Sequence, residues 1–149
     1  LPILDDLNRA GWGEDPVLGK GTMNVGELHA GVRANVIPGE ARASLMIRVV
    51  DSVAATDRRL REIVGDRAEI EIGLVNEPQE IFVPEDGQGV VVGFNTDIPF
   101  LPRLGRPILF GPGSILDAHS DGEKIRKADL LAAVDTYRDL VVKLGAAVD

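Results

Sequence analysis

From Ala41 to Val50 apolar and polar residues alternate, and this period of two constrains the fold more than any other stretch of the chain. Ala41, Ala43, Leu45, Ile47 and Val49 share one face, while Arg42, Ser44, Met46, Arg48 and Val50 share the other. A strand with one apolar face needs a partner along its edge and a layer over that face. Thr22 to Val32 reads as the partner, with Val25, Leu28 and Val32 available for burial. Between the two lies the turn Asn35-Val36-Ile37-Pro38-Gly39, and its Pro-Gly step ends regular structure. An antiparallel pair is therefore expected. Asp51 or Ser52 caps a helix over Val53 to Val64, in which Leu60, Ile63 and Val64 are apolar and Gly65 is the stop.

Ala68 to Val75 alternates again through Ile70, Ile72 and Leu74. A short helix over residues 1–10, ending at Gly11, and a Gly/Pro loop to Lys20 precede the strands. Helix, strand, strand, helix, strand predicts an α+β fold, an antiparallel sheet with helices on one face. It becomes a ferredoxin-like unit once one more strand precedes Leu1. The opening Leu-Pro-Ile-Leu, without Met, reads as a piece that starts inside or just before a helix.

The polar stretch Asn76 to Gly89 is rich in Pro and Gly and marks a domain boundary, giving residues 1–80 and 81–149. Beyond it, Gly89 to Phe94 and Pro107 to Phe110 read as buried strands. Thr96 to Leu104 reads as a short irregular helix broken by Pro99 and Pro102. Asp121 to Leu144 reads as one long helix with the stripe Leu130, Val134, Tyr137, Val141 and Leu144. This part has the order of a parallel α/β layer and is too small to close a core alone.

Charge narrows the partners. A net charge of −8 argues against nucleic acid and anionic membranes, which need clustered Lys and Arg. No apolar run approaches the roughly 20 residues of a membrane span, and no leader is visible. Cysteine is absent, which removes disulfides, thiolate metal sites and a cysteine nucleophile. A soluble cytoplasmic protein is expected.

Residues with chemistry gather late in the chain. Phe110-Gly111-Pro112-Gly113 is followed by His119-Ser120-Asp121-Gly122-Glu123. Ser120 and Glu123 have the spacing of a capping box, with the glutamate returning to the serine N–H. His119 stands just before that cap, where an imidazole suits a metal ligand or a substrate contact, or serves only to bond backbone. Gly111 and Gly113 allow close backbone approach and leave N–H groups for a substrate carboxylate, or else make a tight packing turn. Asp117 and Asp121 read as loop and first-turn acids. His29 reads as a surface residue.

In order along the chain, three groups of residues resemble the dimerisation (lid) domain of the M20 metallopeptidase/deacylase family. They are Thr22-Met23-Asn24-Val25-Gly26, Ala34-Asn35-Val36-Ile37-Pro38-Gly39 and Met46-Ile47-Arg48. Asn95-Thr96-Asp97, Phe110 to Gly113 and Ala118 to Glu123 resemble the end of that family's catalytic α/β zinc-hydrolase domain. The resemblance implies a zinc-dependent amidohydrolase with two zinc ions per intact subunit, or cobalt or manganese in their place. It is nearest the acetylornithine deacetylase/desuccinylase branch, with a dipeptidase or carboxypeptidase as the alternative.

The resemblance makes His119 a metal ligand, and gives Asn35 and Arg48 to the oxyanion and the substrate carboxylate. The substrate it implies is an N-acyl amino acid or a dipeptide, and the assembly a homodimer through the sheet edge and a helix of residues 1–75. The His-x-Asp ligand motif and paired glutamates that belong to the family's N-terminal catalytic segment, and its lid histidine, find no match in this sequence. No catalytic residue is therefore assigned, and the chain is expected to be inactive without an N-terminal catalytic segment. A dimeric ferredoxin-like binding module without metal is the non-enzymatic alternative.

Overall fold

The computed structural model describes residues 2–85, 87–103 and 105–145. The chain divides into two compact units, one ending at Pro107 and the other starting at Ile108. Both are small α+β or α assemblies. Among the described residues their elements are three α-helices, two short antiparallel sheets and two 3-10 turns.

The first unit opens with α1, Pro2–Arg9. Proline suits the first helical turn, where its missing N–H has no intrahelical use. Asp5 and Arg9 pair one turn apart at 2.9 Å. The segment read as a plain loop contains a tight hairpin, β1 (Glu14–Asp15) with β2 (Gly19–Lys20). Asp15 Oδ1 closes it by accepting the N–H groups of Val17 and Leu18, each at 2.8 Å.

The expected antiparallel pair forms, as β3 (Met23–Ala30) with β4 (Ala41–Ile47). Val25 stands opposite Leu45, but Glu27 stands opposite Ser44, so Gly26 is an extra, unpaired residue. This bulge changes the parity of β3. Without it Leu28 would share a face with Asn24. With it, Leu28 pairs with Ala43 and Ala30 with Ala41, on the face that already holds Val25, Leu45, Met23 and Ile47. Asn24, Glu27 and His29 lie on the other face with Met46, Ser44 and Arg42.

Helix α2 spans Val53–Val64, as expected. Ser52 is its cap, its Oγ accepting the Ala55 N–H at 3.1 Å. Asp51 instead accepts from the Ser52 N–H at 2.7 Å and from Arg59 at 3.2 Å. Gly65, at φ 57°, turns the chain out of the helix while its N–H returns to the Arg61 carbonyl. Glu77 adds an acceptor for the Val53 N–H at 3.0 Å, a carboxylate at the positive end of the helix.

The core lies where α1, α2 and the proximal half of the β3–β4 face meet. Leu7, Trp12 and Val64 are buried there, with Leu4, Met23, Leu45, Ile47, Leu60 and Ile70 packed around them. Trp12 donates its indole N–H to the Leu7 carbonyl at 3.2 Å, so its polar edge is satisfied inside the core. Asp6 and Arg67, at 2.7 Å, tie α1 to the segment after α2.

Several expectations fail for stated reasons. Val32 is 85% exposed because β3 ends at Ala30. Val50 was assigned to the polar face, yet it is buried; β4 ends at Ile47, and alternation carries no meaning past the last paired residue. Ala68 to Val75 forms no strand, and the same holds for Gly89 to Phe94 and Pro107 to Phe110. Strand character requires a ladder, and no third strand lies beside these segments among the described residues. Val90 is 82% exposed in consequence. Of Thr96 to Leu104, only Ile98–Phe100 is helical, as a single 3-10 turn; Leu104 lies outside the described residues.

In the second unit a 3-10 turn, Ile115–Asp117, precedes α3 (Lys127–Gly145). Phe110 and Tyr137 meet edge to face at 5.0 Å, and the Tyr137 hydroxyl donates to the Phe110 carbonyl at 2.9 Å. Ala133 is buried, whereas Leu130, Val134 and Val141 of the expected apolar stripe are exposed.

Candidate functional site

The expected helix start at Asp121 is not formed, because the capping-box residues are engaged elsewhere. Glu123 Oε2 accepts the N–H of His119 at 2.9 Å, not that of Ser120. Ser120 Oγ donates to the Asp117 carbonyl at 2.9 Å. The Glu123 N–H closes a turn onto the Ser120 carbonyl at 3.0 Å. The helix begins six residues later, after Arg126, whose guanidinium donates to Asp129 through Nη2 at 2.7 Å and Nε at 2.8 Å. That pair holds the Asp129 carboxyl below its usual range and raises Arg126 above its own.

The loop so formed holds His119 at φ 59°, the left-handed region. It is the one residue other than glycine found there among the described residues. That conformation is uncommon for a residue with a Cβ, and it persists where neighbours over-determine it. Here the neighbours are the Glu123 carboxylate on its own N–H and the Ser120 hydroxyl one residue on. Sequence reading placed His119 in a loop before a helix but had no signal for its backbone. The imidazole belongs to an exposed residue.

Gly113 also has a left-handed backbone, at φ 89°, and glycine is required there. Gly111 is exposed and a Cβ on it would meet nothing, so its backbone is reachable from solvent. A half-open depression of about 490 Å³ lies between the turn Gly113–Asp117 and the stretch Lys124–Asp129. His119 is not among the residues lining it.

In the first unit, Asn35 lies in the exposed turn joining β3 to β4. Arg48 follows β4 directly, and its N–H donates to the Thr22 carbonyl at 2.8 Å. It is half-buried, whereas Asn35 is exposed. His29 lies on the polar face of the hairpin, 3.8 Å from Glu27, and is exposed as expected.

For zinc, the donors present do not fit. Among the described residues no group of three or more His, Cys, Asp or Glu side chains is placed to hold a metal ion. A structural zinc shell takes four ligands and a catalytic one takes three besides water. His119 offers one nitrogen, and the carboxylate bonded nearest to it, Glu123, is turned to the His119 backbone. No chemical step can be routed through a metal on these residues alone.

Comparison with known proteins defines the class. Residues 1–71 match the model of the peptidase dimerisation domain of the M20 type. A protein of Aspergillus flavus named "Probable carboxypeptidase" is 35% identical over 95% of this chain and 38% of its own length. A protein of Sordaria macrospora named as a peptidase M20 domain-containing protein is 36% identical, over 95% of this chain and 33% of its own. Another so named, from Schizosaccharomyces pombe, is 33% identical over 85% of this chain and 32% of its own. The chain thus spans about a third of the length of these curated relatives. No solved structure matches it. The small α+β first unit is compatible with a dimerisation domain. Among the described residues no helix is long and apolar enough to cross a membrane.

Proposed function

We propose that the chain belongs to a metal-dependent carboxypeptidase of the M20 type, with residues 1–80 as a ferredoxin-like dimerising lid and 81–149 as part of the catalytic domain. The observation that carries this reading is similarity along 95% of the chain to a relative named as a carboxypeptidase, together with the dimerisation-domain match over residues 1–71. It favours release of a C-terminal residue from a peptide over the acetylornithine deacetylase reading. Arg48 receives the substrate carboxylate through its fork of donors. Asn35 donates to the developing oxyanion, and the N–H groups of Gly111 and Gly113 add contacts to substrate. His119 contributes one metal ligand, and the remaining ligands come from polypeptide beyond this chain. A metal so held, zinc by expectation, would supply Lewis-acid chemistry that the residues of this chain do not provide by themselves. Two copies associate through the edge of the β3–β4 hairpin and a helix of the lid.

The test takes a protein of the relatives' length that includes this chain and offers it N-acetyl-phenylalanyl-leucine and N-acetylornithine. Release of leucine is expected, abolished by a chelator and restored by zinc. Release of acetate from N-acetylornithine, with the dipeptide untouched, would reverse the assignment. Hydrolysis of neither, with dimers still formed and no zinc bound, would leave the non-enzymatic module.

A further inference from the structure

The guanidinium of Arg48 is held in an unusual way. Its backbone is pinned by the bond to Thr22, and its carbonyl stands 3.0 Å from where a Cβ on Gly21 would lie. The side chain is half-buried, yet among the described residues its guanidinium makes no ion pair and no hydrogen bond. Its donors therefore have no protein partner among the described residues and are open to a carboxylate. What lies against them is a glycine. A Cβ built on Gly93 would stand 2.9 Å from Arg48 Cζ, 3.0 Å from Nη1 and 3.2 Å from Nε. These are the nearest atoms it would meet, and all belong to the guanidinium. Gly93 is not among the glycines with positive φ, so its backbone accepts any residue. Glycine at this position makes room for the fork of Arg48.

We propose that Gly93 is a positioning residue for Arg48: the missing side chain at 93 keeps free the space in which the guanidinium rests, and so sets the affinity for a ligand carboxylate. The inference rests on the reading that Arg48 receives that carboxylate. Because the clashing atoms are the far end of a flexible side chain, a methyl group at 93 displaces the guanidinium and leaves the fold intact. A merely structural glycine would behave in the opposite way.

The experiment compares Gly93→Ala, Arg48→Ala and the double variant in the protein of the relatives' length. The substrates are N-acetyl-phenylalanyl-leucine and its C-terminal amide. Gly93→Ala is expected to raise KM for the acid about tenfold, the scale of one charge-assisted hydrogen bond. With it, kcat and the KM for the amide stay within about twofold, and the unfolding midpoint is unchanged. In the Arg48→Ala background the change at 93 is expected to add nothing. An equal effect on acid and amide, an effect that persists without Arg48, or no effect at all would overturn the proposal. If neither substrate is cleaved, the peptidase reading fails by itself, and calorimetry with N-acetyl-leucine decides the inference. Binding weakened alike by Gly93→Ala and Arg48→Ala upholds it; no binding, or equal binding by all variants, overturns it.

Discussion

Gly21→Ala puts the packing of the first unit to its most direct test. Gly21 joins the β1–β2 hairpin to β3, and its N–H donates to the Gly13 carbonyl at 2.9 Å. A Cβ there would lie 2.1 Å from the Trp12 carbonyl oxygen and 3.0 Å from that of Arg48. Relaxed contacts of carbon with its neighbours begin near ~3.5 Å, so the first overlap exceeds an ångström. Both obstacles are backbone, and no rotamer change relieves either. The hairpin must move off β3, which strains the seat of Trp12 and costs the bond to Gly13. Overpacking of this kind costs about 1–3 kcal/mol, and a lost backbone bond about 1 kcal/mol more.

A loss of roughly 3 kcal/mol, at a urea slope of about 2 kcal/mol/M, lowers the midpoint by about 1.5 M. Trp12 is the single tryptophan and is 3% exposed, so its fluorescence follows the unit in question. Gly11→Ala is the control: its Cβ meets nothing within 4 Å and its φ is not positive. That change is expected to be neutral or to stabilise by up to about 1 kcal/mol through the unfolded chain. A Gly21→Ala midpoint within about 0.2 M of the parent, or a Gly11→Ala change as damaging, would refute the reasoning.

Two other outcomes follow from the structure. The Ser52 N–H holds the Asp51 carboxyl below its usual value; partial burial opposes this, and Arg59 adds to the lowering. A carboxyl lowered in the folded state contributes stability above about pH 4, lost as pH falls through its folded value. The urea midpoint of the parent should exceed that of Asp51→Asn at pH 7 and converge with it as pH falls through the folded value of Asp51; a constant gap would show that the charge contributes nothing. His119→Gly relieves a left-handed backbone, worth about 1 kcal/mol to the second unit. Slower hydrogen exchange in residues 108–145 is expected, alongside lost metal and activity in the longer protein; faster exchange would show that the loop does not strain His119.

The parts of the fold that were legible are those fixed by contacts close in sequence. Ser52 and Gly65 bracket α2 because caps act within one turn. The alternation of Leu45 and Ile47 against Met46 identifies β4, though it runs on to Val50 where the strand ends at Ile47. Ile70, Ile72 and Leu74 alternate just as well, but alternation records a capacity for burial, and a ladder needs a second strand. Ser120 and Glu123 have a capping spacing that the structure spends on Asp117 and His119 instead, since a hydroxyl and a carboxylate in a loop have several backbone partners within reach. Trp12 lies inside a Gly/Pro stretch that reads as loop, although a lone large aromatic beside a short amphipathic helix is a reasonable core signal. The nearness of Gly93 to Arg48 spans 45 positions and left no local trace.

One unpaired residue in β3 has a consequence for the turn that carries Asn35. Residues on the near side of Gly26 are clamped by the core and by the tie between Thr22 and Arg48. On the far side the hairpin is exposed as far as its tip. The bulge at Gly26 bends the strand between the anchored stem and the exposed arm, so a change at position 26 is expected to alter the heading of Asn35 while Arg48 keeps its station.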